Sequence, residues 1–391
     1  MLIFCCGMNR GGSTLQYQIV AKIIESNNIG IALGWIGIPN PETLTTLDNI
    51  ARRRDKYAVV KCHQYATEAG AYIELGKAKG VYIYRDIRDV VVSMGHKFFD
   101  SIDSAIENNC VSNSLNDFYG WSALRGVYTS QYEEVILDLA SEVKSIASFL
   151  ELELQPSQIT AIAQSLNLDR QKEKIASFNY QVDGIDNSDE EKNIQDYYDP
   201  VSQLHNQHIR SGKHGQWQTE LTSEQLSYIE HHAFSWLVDR QYSLSTVNCD
   251  RTKTAEEHYE LGRQQSKKED FTVAIVNFQQ AIMQCSSKPL YHFQLGLALF
   301  KAERYSEAVN AYRHAIYLNS QSALYHRRLA EALVELEQLE AAVDVYRQAI
   351  ELEPGNPQHY SSLAEVFVRL ERPQKAVANL KKVIQLNQIN R

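Results

Sequence analysis

Residues 1–15 read MLIFCCGMNRGGSTL, and this stretch decides how the first part of the chain folds. Its apolar run, residues 2–6, has the length of a buried strand, and glycines follow at positions 7, 11 and 12. Apolar residues then recur at helical spacing, at positions 15, 19, 20, 23 and 24. The pattern predicts a strand, a glycine loop and a helix. Because such a loop turns backbone N–H groups inward and the helix start adds partial positive charge, we expect it to bind a phosphate or a sulfate group.

The spacing of the loop, Gly7-x4-Gly12-Ser13-Thr14, is that of a Walker A motif without its lysine. The cation near the glycines is Arg10. An ATP or GTP site would therefore lack its usual phosphate-binding side chain. A plain glycine turn between a buried strand and a helix is the alternative, and the rest of the chain must decide between the two.

Composition limits the class of protein. The 391 residues are enough for two or three domains, and the formal net charge of −9 argues against a general nucleic-acid binder. The six cysteines lack metal-binding spacing, so we expect them to be reduced and mostly buried, and we predict no bound metal. The sequence has no run of eighteen apolar residues and no signal-peptide pattern at its start. We therefore expect a cytoplasmic protein without a membrane span.

Strands and helices alternate after the first helix. Residues 57–62 and 81–84 are largely apolar runs of strand length, and segments with a helical pattern follow them. Residues 30–51 are rich in glycine and proline, so we expect an irregular loop there with Trp35 packed into it. The alternation predicts a parallel α/β sheet covered by helices, whose ligand lies at the carboxyl ends of the strands.

Polar residues follow the ends of two of these strands. Lys61 and His63 are two residues apart, so on an extended chain both side chains point to one side. Arg85 ends the next strand and Ser93 follows in a helical segment, and an arginine fork with a hydroxyl suits a phosphate group. Purely structural roles stay open for both residues. Arg85 could pair with the aspartates at positions 86 or 89 in a surface network, and His63 could be a hydrogen-bonded structural residue.

Three later segments carry further signals. Tyr132 precedes two glutamates, residues 183–199 are acidic and poor in apolar residues, and residues 210–217 read RSGKHGQW. The acidic segment is expected to be a solvated or disordered loop, with a mobile lid as the alternative.

Together these segments resemble the sulfotransferases that use 3′-phosphoadenosine 5′-phosphosulfate (PAPS), across roughly residues 1–242. The similar parts are the RGGSTL loop, the Lys-x-His pair, the Arg and Ser eight residues apart, the Tyr-Glu segment and the RSGKHGQW segment. The chain departs from the family pattern at three positions. Arg10 stands in place of the loop lysine, Ser211 in place of a lysine, and Glu151 in place of a glycine.

The resemblance implies a set of contacts for each part of PAPS. The 5′-phosphosulfate would contact Arg10, Gly11, Gly12, Ser13, Thr14 and Leu15. The 3′-phosphate would contact Arg85, Ser93, Arg210, Ser211 and Gly212, with Lys213 near enough to compensate for the replaced lysine. Tyr132 would line the adenine site. The catalytic residues would be His63 as general base, with Arg10 and Lys61; should His63 not be the base, Glu42 or Glu68 are the carboxylates to consider.

From residue 254 the sequence repeats every thirty-four residues. Leu-Gly or Leu-Ala pairs recur at 261, 295, 329 and 363, and alanines recur at 274, 308, 342 and 376. This period, with small residues where paired helices touch, is the signature of tetratricopeptide (TPR) repeats. We predict four repeats, 254–287, 288–321, 322–355 and 356–389, after a polar linker at 243–253. Their concave groove is expected to bind a protein or peptide partner, with a rigid spacer or a dimerisation element as the alternative.

The sequence thus predicts an α/β domain with a P-loop-like parallel sheet over residues 1–242, followed by an all-α TPR solenoid over 254–391. The expected function is transfer of a sulfuryl group from PAPS to an acceptor hydroxyl or amine, without a metal. Two rivals remain: a P-loop kinase-like enzyme, and a non-catalytic TPR scaffold with a degenerate nucleotide domain. No residue identifies the acceptor.

Overall fold

The computed structural model describes residues 1–54, 57–176, 203–204, 214–246, 250 and 252–389. It divides into two compact units, Met1–Leu221 and Thr222–Arg391. The first is an α/β unit, and the described part of the second is helical. The predicted fold class is confirmed.

The first unit is built on a five-stranded parallel sheet. Its strands are β1 (Leu2–Gly7), β2 (Gly30–Trp35), β3 (Tyr57–Lys61), β4 (Ala78–Tyr84) and β5 (Val127–Gln131), in the order β2-β3-β1-β4-β5. The apolar run that opens the chain forms the central strand, and all six residues of β1 are buried. Parallel strands place their carboxyl ends at one edge of the sheet, so the segments that follow β1, β3 and β4 meet there.

Helices pack around this sheet. They are α1 (Ser13–Ser26), α2 (Pro41–Arg54), α3 (Thr67–Glu74), α4 (Ile87–Phe98), α5 (Ile102–Glu107), α6 (Cys110–Ser122), α7 (Tyr132–Leu137), α8 (Leu139–Phe149), α9 (Pro156–Leu166), α10 (Leu168–Ala176) and α11 (Trp217–Glu220). Helix α1 packs its apolar residues into one core cluster with β1, β3, β4, α8 and α9. This packing fixes the start of α1 at the carboxyl end of the central strand.

The expectation of an irregular loop at residues 30–51 is wrong. The structure has β2 at the edge of the sheet and α2 after it. The sequence of β2, GIALGW, is apolar, but only one of its six residues is buried, and its two glycines favoured the interpretation as a loop. Trp35 is also not packed into a loop, because it is 59% exposed at the end of β2.

The second unit contains ten helices in its described residues. They are α12 (Ser223–His232), α13 (Phe234–Asp239), α14 (Ala255–Lys267), α15 (Phe271–Gln284), α16 (Pro289–Lys301), α17 (Tyr305–Leu318), α18 (Ala323–Glu335), α19 (Leu339–Leu352), α20 (Pro357–Arg369) and α21 (Pro373–Ile389). From α14 onward each predicted repeat contains one helix pair. A glutamate with positive φ lies in the turn of every pair, at positions 269, 303, 337 and 371.

Small residues allow the paired helices to approach closely. A side chain at Gly296 would place its Cβ 2.6 Å from the ring of Tyr312, which belongs to the other helix of the same pair. Ala274, Ala308 and Ala342 are fully buried in the helical core. Small residues therefore recur every thirty-four residues at the positions where the two helices of a pair are in contact.

The two compact units divide ahead of the expected boundary at residue 242. Helices α12 and α13 belong to the second unit: Phe234 lies in its apolar core, and Asn310 donates a hydrogen bond from Nδ2 to the carbonyl of His232 at 2.8 Å. The start of the predicted linker, at residues 245–246, is hydrogen-bonded to this second unit. Buried Glu230 accepts hydrogen bonds from the backbone N–H groups of Ser245 and Thr246. The polar composition of this segment suggested a linker. The carboxylate of Glu230 that binds the segment lies in α12, so the composition of the segment itself could not show this contact.

Of the residues that the structure describes, none forms a helix long and apolar enough to cross a membrane. Among the cysteines that the structure describes, Cys5, Cys6, Cys62 and Cys110 are buried free thiols, and Cys285 is half-buried and also free.

Candidate active site

The loop between β1 and α1 forms a turn that only certain residues can occupy. Arg10 and Gly12 have φ values of 62° and 101°. A Cβ at Gly12 would lie 2.6 Å from Cδ2 of Tyr132, so a side chain there would be strained and would also clash. Helix α1 begins directly afterwards with buried Ser13 and Thr14. The backbone N–H groups of its first turn have no acceptor within the helix, which makes this end of α1 suited to an anion.

Two residues at the end of β3 contact this loop and the start of α1. Lys61 donates from Nζ to Oγ1 of Thr14 at 2.6 Å and is only 6% exposed. Nδ1 of His63 lies 3.3 Å from the carbonyl oxygen of Gly7 and 3.4 Å from Oγ of Ser13. The structure therefore brings both side chains to the segment that follows the central strand.

The surroundings of His63 favour its neutral form. Burial is the main cause, and the neighbouring cations Lys61 and Arg10 add to it, so that the pKa of His63 falls to about 4 despite the opposing hydrogen bond with Gly7. Because a carbonyl oxygen can only accept, the contact with Gly7 places the proton on Nδ1 and leaves the lone pair on Nε2. A neutral imidazole with a free lone pair can act as a base at neutral pH.

Three positively charged side chains, Arg10, Lys61 and Lys97, influence one another near the glycine loop. Arg10 donates from Nε to Oγ of Ser93 at 3.0 Å. Burial, and then the charges of Arg10 and Lys97, lower the pKa of Lys61 to about 8, against an opposing effect of Cys5. Burial and the charge of Arg10 lower the pKa of Lys97 to about 8 as well. Such mutual repulsion between cations indicates a region of positive potential that suits an anionic ligand.

Sequence reasoning missed Lys97. It lies in the last turn of α4, four residues after Ser93, so the two side chains are on the same face of the helix. That spacing was the signal that could have identified it.

Arg85 is held by two neighbours at the end of β4. Its Nη2 donates to Oδ2 of Asp89 at 3.1 Å, and its guanidinium carbon lies 4.9 Å from the centre of the Tyr132 ring. The pairing with Asp89 that the sequence left open is therefore present, but it is buried and not part of a surface network. Asp89 also accepts the backbone N–H groups of Gly215 at 2.7 Å and Trp217 at 3.1 Å.

A second ion pair reinforces this corner. Arg88 donates to both carboxylate oxygens of Asp86, at 2.9 and 2.7 Å, and its guanidinium carbon lies 3.8 Å from the centre of the Trp217 ring. Asp86 also caps α4 by accepting the N–H of Arg88, and its own backbone N–H donates to Glu133 at 3.0 Å. The two ion pairs thus tie α4, the start of α7 and the segment at Trp217 together.

A sequence model described as "Sulfotransferase domain" matches residues 2–241, which is more than half of the chain. The chain belongs to the sulfotransferase family. A model described as "Tetratricopeptide repeat" matches residues 293–357 and 327–388 of the same chain. This sulfotransferase domain is therefore followed by TPR repeats, as the sequence motifs predicted.

Individual proteins are similar to this chain at low sequence identity. An amine sulfotransferase from Oryctolagus cuniculus is 27% identical over 168 residues, which cover 38% of this chain and 51% of the relative. This chain thus spans about half the length of that curated relative. Among solved structures, MamA from Desulfovibrio magneticus RS-1 is 19% identical, with a TM-score of 0.34 over 42% of this chain and 85% of that one. The first TPR of Spaghetti (RPAP3), bound to an HSP90 peptide, is 23% identical, with a TM-score of 0.30 over 32% of this chain and 98% of that one.

The predicted site residues of this sulfotransferase fall into three groups. Those at the glycine loop, with Lys61, His63 and Ser93, lie together through the contacts described above. Leu15 packs against the apolar core beside α1. Arg85 and Tyr132 form a second group. The third group, Arg210, Ser211 and Gly212, lies outside the described residues, as does the acidic segment 183–199.

Proposed function

We propose that this sulfotransferase transfers a sulfuryl group from PAPS to a hydroxyl or amine of an acceptor. The observation that carries the proposal is the meeting of Arg10, Lys61 and a neutral His63 at the glycine loop before α1. An anion-binding loop beside a base is the arrangement that sulfuryl transfer requires, because one end of the donor is anionic and the acceptor must lose a proton.

The 5′-phosphosulfate would bind at residues 10–15. Backbone N–H groups at the start of α1 and the hydroxyls of Ser13 and Thr14 supply donors, and Arg10 supplies a charge in place of the family's lysine. Lys61 would act through its bond to Thr14, which orients that hydroxyl. The lowered pKa values of the lysines support this assignment, since a bound anion would relieve the repulsion between the cations.

The nucleotide end of PAPS would bind beside Arg85. Its guanidinium lies against the Tyr132 ring, so one neighbourhood can offer donors for the 3′-phosphate and an aromatic face for adenine. Ser93 would add a hydroxyl to the 3′-phosphate contacts, and the family resemblance adds residues 210–212. Ser93 already contacts Arg10, so the two phosphate sites would share this pair of side chains.

In the transfer step, the acceptor oxygen or nitrogen would form a bond to sulfur while the bond between sulfur and the bridging phosphate oxygen breaks. The acceptor proton would pass to Nε2 of His63, and adenosine 3′,5′-bisphosphate (PAP) and the sulfated acceptor would leave. Arg10 and the N–H groups of α1 would stabilise the charge that develops on the bridging oxygen. This scheme needs no metal.

The TPR unit would hold the acceptor or a protein partner. Its helices expose apolar side chains at equivalent positions of successive repeats, with Leu290 42% and Leu324 41% exposed. Stacked TPR helices form an extended concave surface, and exposed apolar residues on repeating helices suit a peptide or protein ligand.

Calorimetric titration with PAP and with ATP, each with EDTA and with Mg²⁺, tests the donor assignment. We expect PAP to bind without Mg²⁺ and PAPS to be consumed when an acceptor is present. Ser93→Ala should weaken PAP by about tenfold or more and adenosine 5′-monophosphate much less, since a bond to a phosphate contributes about 1.5–3 kcal/mol. Exposed Ser148→Ala is the control. Mg²⁺-dependent ATP binding without PAP binding would overturn the proposal.

A further inference from the structure

Two buried cysteines contact each other directly behind the candidate active site. Cys6 is the fifth residue of β1, and Cys62 directly follows β3. Their Sγ atoms are 3.1 Å apart, so either thiol can donate a hydrogen bond to the other. Both side chains are fully buried free thiols, and the proposed sulfuryl transfer uses neither of them. The chemistry of the site therefore leaves this pair of thiols without a role.

The strands that carry the two cysteines hold them at a separation that suits a disulfide. Strands β1 and β3 are parallel neighbours in which Cys5 pairs with Lys61, and the N–H of Cys62 donates to the carbonyl of Cys5 at 3.1 Å. Continuing this register by one residue pairs Cys6 with Cys62. Neighbouring strands lie about 4.7–4.9 Å apart, and a disulfide joins Cα atoms that are about 4.4–6.8 Å apart. Oxidation can thus join the two residues without rearranging the sheet.

The adjacent thiol of β1, Cys5, points to the opposite face of the sheet. Cys5 packs into the apolar core with α1, and successive residues of a strand alternate between the two faces. Cys6 therefore points to the other face, where Trp121 of α6 packs against Phe4 with ring centres 6.0 Å apart. Of the two cysteines of β1, Cys6 is thus the one placed to bond to Cys62, and Cys5 is its matched control.

Each cysteine of the pair is covalently next to residues that form the site. Cys6 precedes Gly7, whose carbonyl oxygen lies 3.3 Å from Nδ1 of His63. Cys62 stands between Lys61 and His63 in the chain. A disulfide would bring the two sulfur atoms to about 2.05 Å, so the close-packed strand ends have to take up part of the difference. The resulting shift would move the carbonyl of Gly7 and the side chains beside Cys62 relative to the glycine loop.

We propose that Cys6 and Cys62 form a reversible disulfide that weakens nucleotide binding when the protein is oxidised. With hydrogen peroxide as the oxidant, one thiolate attacks a peroxide oxygen, which gives a sulfenic acid and water. The second thiol then attacks the sulfenic sulfur, so that the S–S bond forms and a second water leaves. In total the two thiols lose two protons and two electrons to the peroxide. A dithiol reductant returns the pair to thiols by disulfide exchange.

The effect on PAP binding rests on the proposed function, whereas formation of the bond does not. Burial, with the contact to Cys62, raises the pKa of Cys6 well above its ordinary value, so the reaction should be slow and should favour a small oxidant such as peroxide. Coupling between the bond and the nucleotide is reciprocal. If the disulfide weakens PAP binding by about tenfold, saturating PAP makes oxidation tenfold less favourable, which is about 30 mV in the midpoint potential of the pair.

The test follows the bond and the site separately in the full chain. Wild-type protein and the variants Cys6→Ala, Cys62→Ala and Cys5→Ala are treated with hydrogen peroxide, and a portion of each is then reduced with dithiothreitol. Alkylation, digestion and mass spectrometry detect a peptide that links residue 62 to residues 1–10. Calorimetry measures the PAP affinity of each form, and thermal melting shows that each variant is folded.

We expect the linked peptide in the wild-type protein and in Cys5→Ala, and its absence from Cys6→Ala and Cys62→Ala. Oxidation should weaken PAP binding by about tenfold in the first two proteins, as expected for a sub-ångström displacement at the site, and dithiothreitol should restore it. The same treatment should leave the PAP affinity of Cys6→Ala unchanged, which separates the disulfide from oxidation of other residues. In buffers of oxidised and reduced dithiothreitol, saturating PAP should raise the midpoint potential by about 30 mV.

Three results would overturn the inference. The first is the absence of the linked peptide after prolonged peroxide treatment of the wild-type protein. The second is a bond from residue 62 to residue 5, which Cys5→Ala would abolish. The third is a disulfide that leaves PAP affinity unchanged, because the pair would then not act on the site. Failure of the reduced wild-type protein to bind PAP would instead refute the proposed function and the switch with it, while the mass measurement still decides whether the bond forms.

Discussion

Replacing Asp89 should destabilise the first unit more than any other single change at the site. Its carboxylate is buried and accepts three hydrogen bonds, from Arg85, from the N–H of Gly215 and from the N–H of Trp217. The second and third donors lie more than one hundred residues away in the sequence. The side chain thus joins the end of β4 and the start of α4 to the segment that leads into α11.

The size of the effect follows from what Asp89→Ala leaves behind. Arg85, whose side chain is 10% exposed, would remain as a buried cation beside two backbone N–H groups that have lost their acceptor. Removing one partner of a buried ion pair costs about 3–5 kcal/mol, and we expect a loss in this range. Asp89→Asn keeps one acceptor oxygen and nearly the same volume. Its cost should be smaller, about 1.5–3 kcal/mol, the contribution of a bond to a charged group.

Calorimetry and guanidinium titration of the full chain measure these losses, with PAP affinity as a second readout. Exposed Asp100→Ala is the control and should change stability by less than about 0.5 kcal/mol. PAP binding should weaken in Asp89→Ala because Arg85 and the segment at Trp217 lose their positions. If Asp89→Ala cost less than about 1 kcal/mol, the buried anchor described here would not exist and the reasoning would be refuted.

Three further predictions concern the base and the second unit. His63→Gln should reduce turnover by about 10²–10⁴-fold with unchanged melting temperature. Because the base must be neutral, the kcat/KM of the wild-type protein should fall only as the pH drops through about 4, the pKa of His63. A fall near pH 6.5 would contradict this pKa. Gly296→Val should destabilise the second unit by about 1–3 kcal/mol in calorimetry, since Tyr312 has to move, and no loss would contradict the close approach. Glu230→Ala should cost about 1.5–3 kcal/mol and increase protease cleavage near residue 245, whereas unchanged cleavage would show that the carboxylate does not hold this segment.

The parts of the fold that could be predicted are those with strong local patterns. Strand β1 is a continuous apolar run because both of its faces are covered, and the repeats keep a fixed period because every helix pair makes the same contacts. Strands β2 and β5 were missed. Both lie at the edges of the sheet. Strand β2 (GIALGW) is apolar, but its two glycines favour a loop, and β5 (VYTSQ) is short and has no continuous apolar run.

The site could be predicted only in part for a related reason. His63 and Arg85 stand at strand ends, which the sequence locates, and they keep the spacing of a known family. The buried role of Asp89 depends on the backbone N–H groups of Gly215 and Trp217, which lie more than one hundred residues away in the sequence. Local spacing cannot show such contacts, because they exist only once the sheet has brought the strand ends together.

The charges of the site connect its stability to its chemistry. Lys61 and Lys97 have lower pKa values in the folded chain than in a free side chain, so the unfolded chain binds more protons between about pH 8 and 10.5. Stability therefore rises with pH through this window, and below it the folded chain bears the full cost of holding these cations. A bound anion offsets that cost. The same repulsion that weakens the folded protein would thus become part of the free energy that binds the proposed anionic donor. It also favours the neutral form of His63, the proposed base.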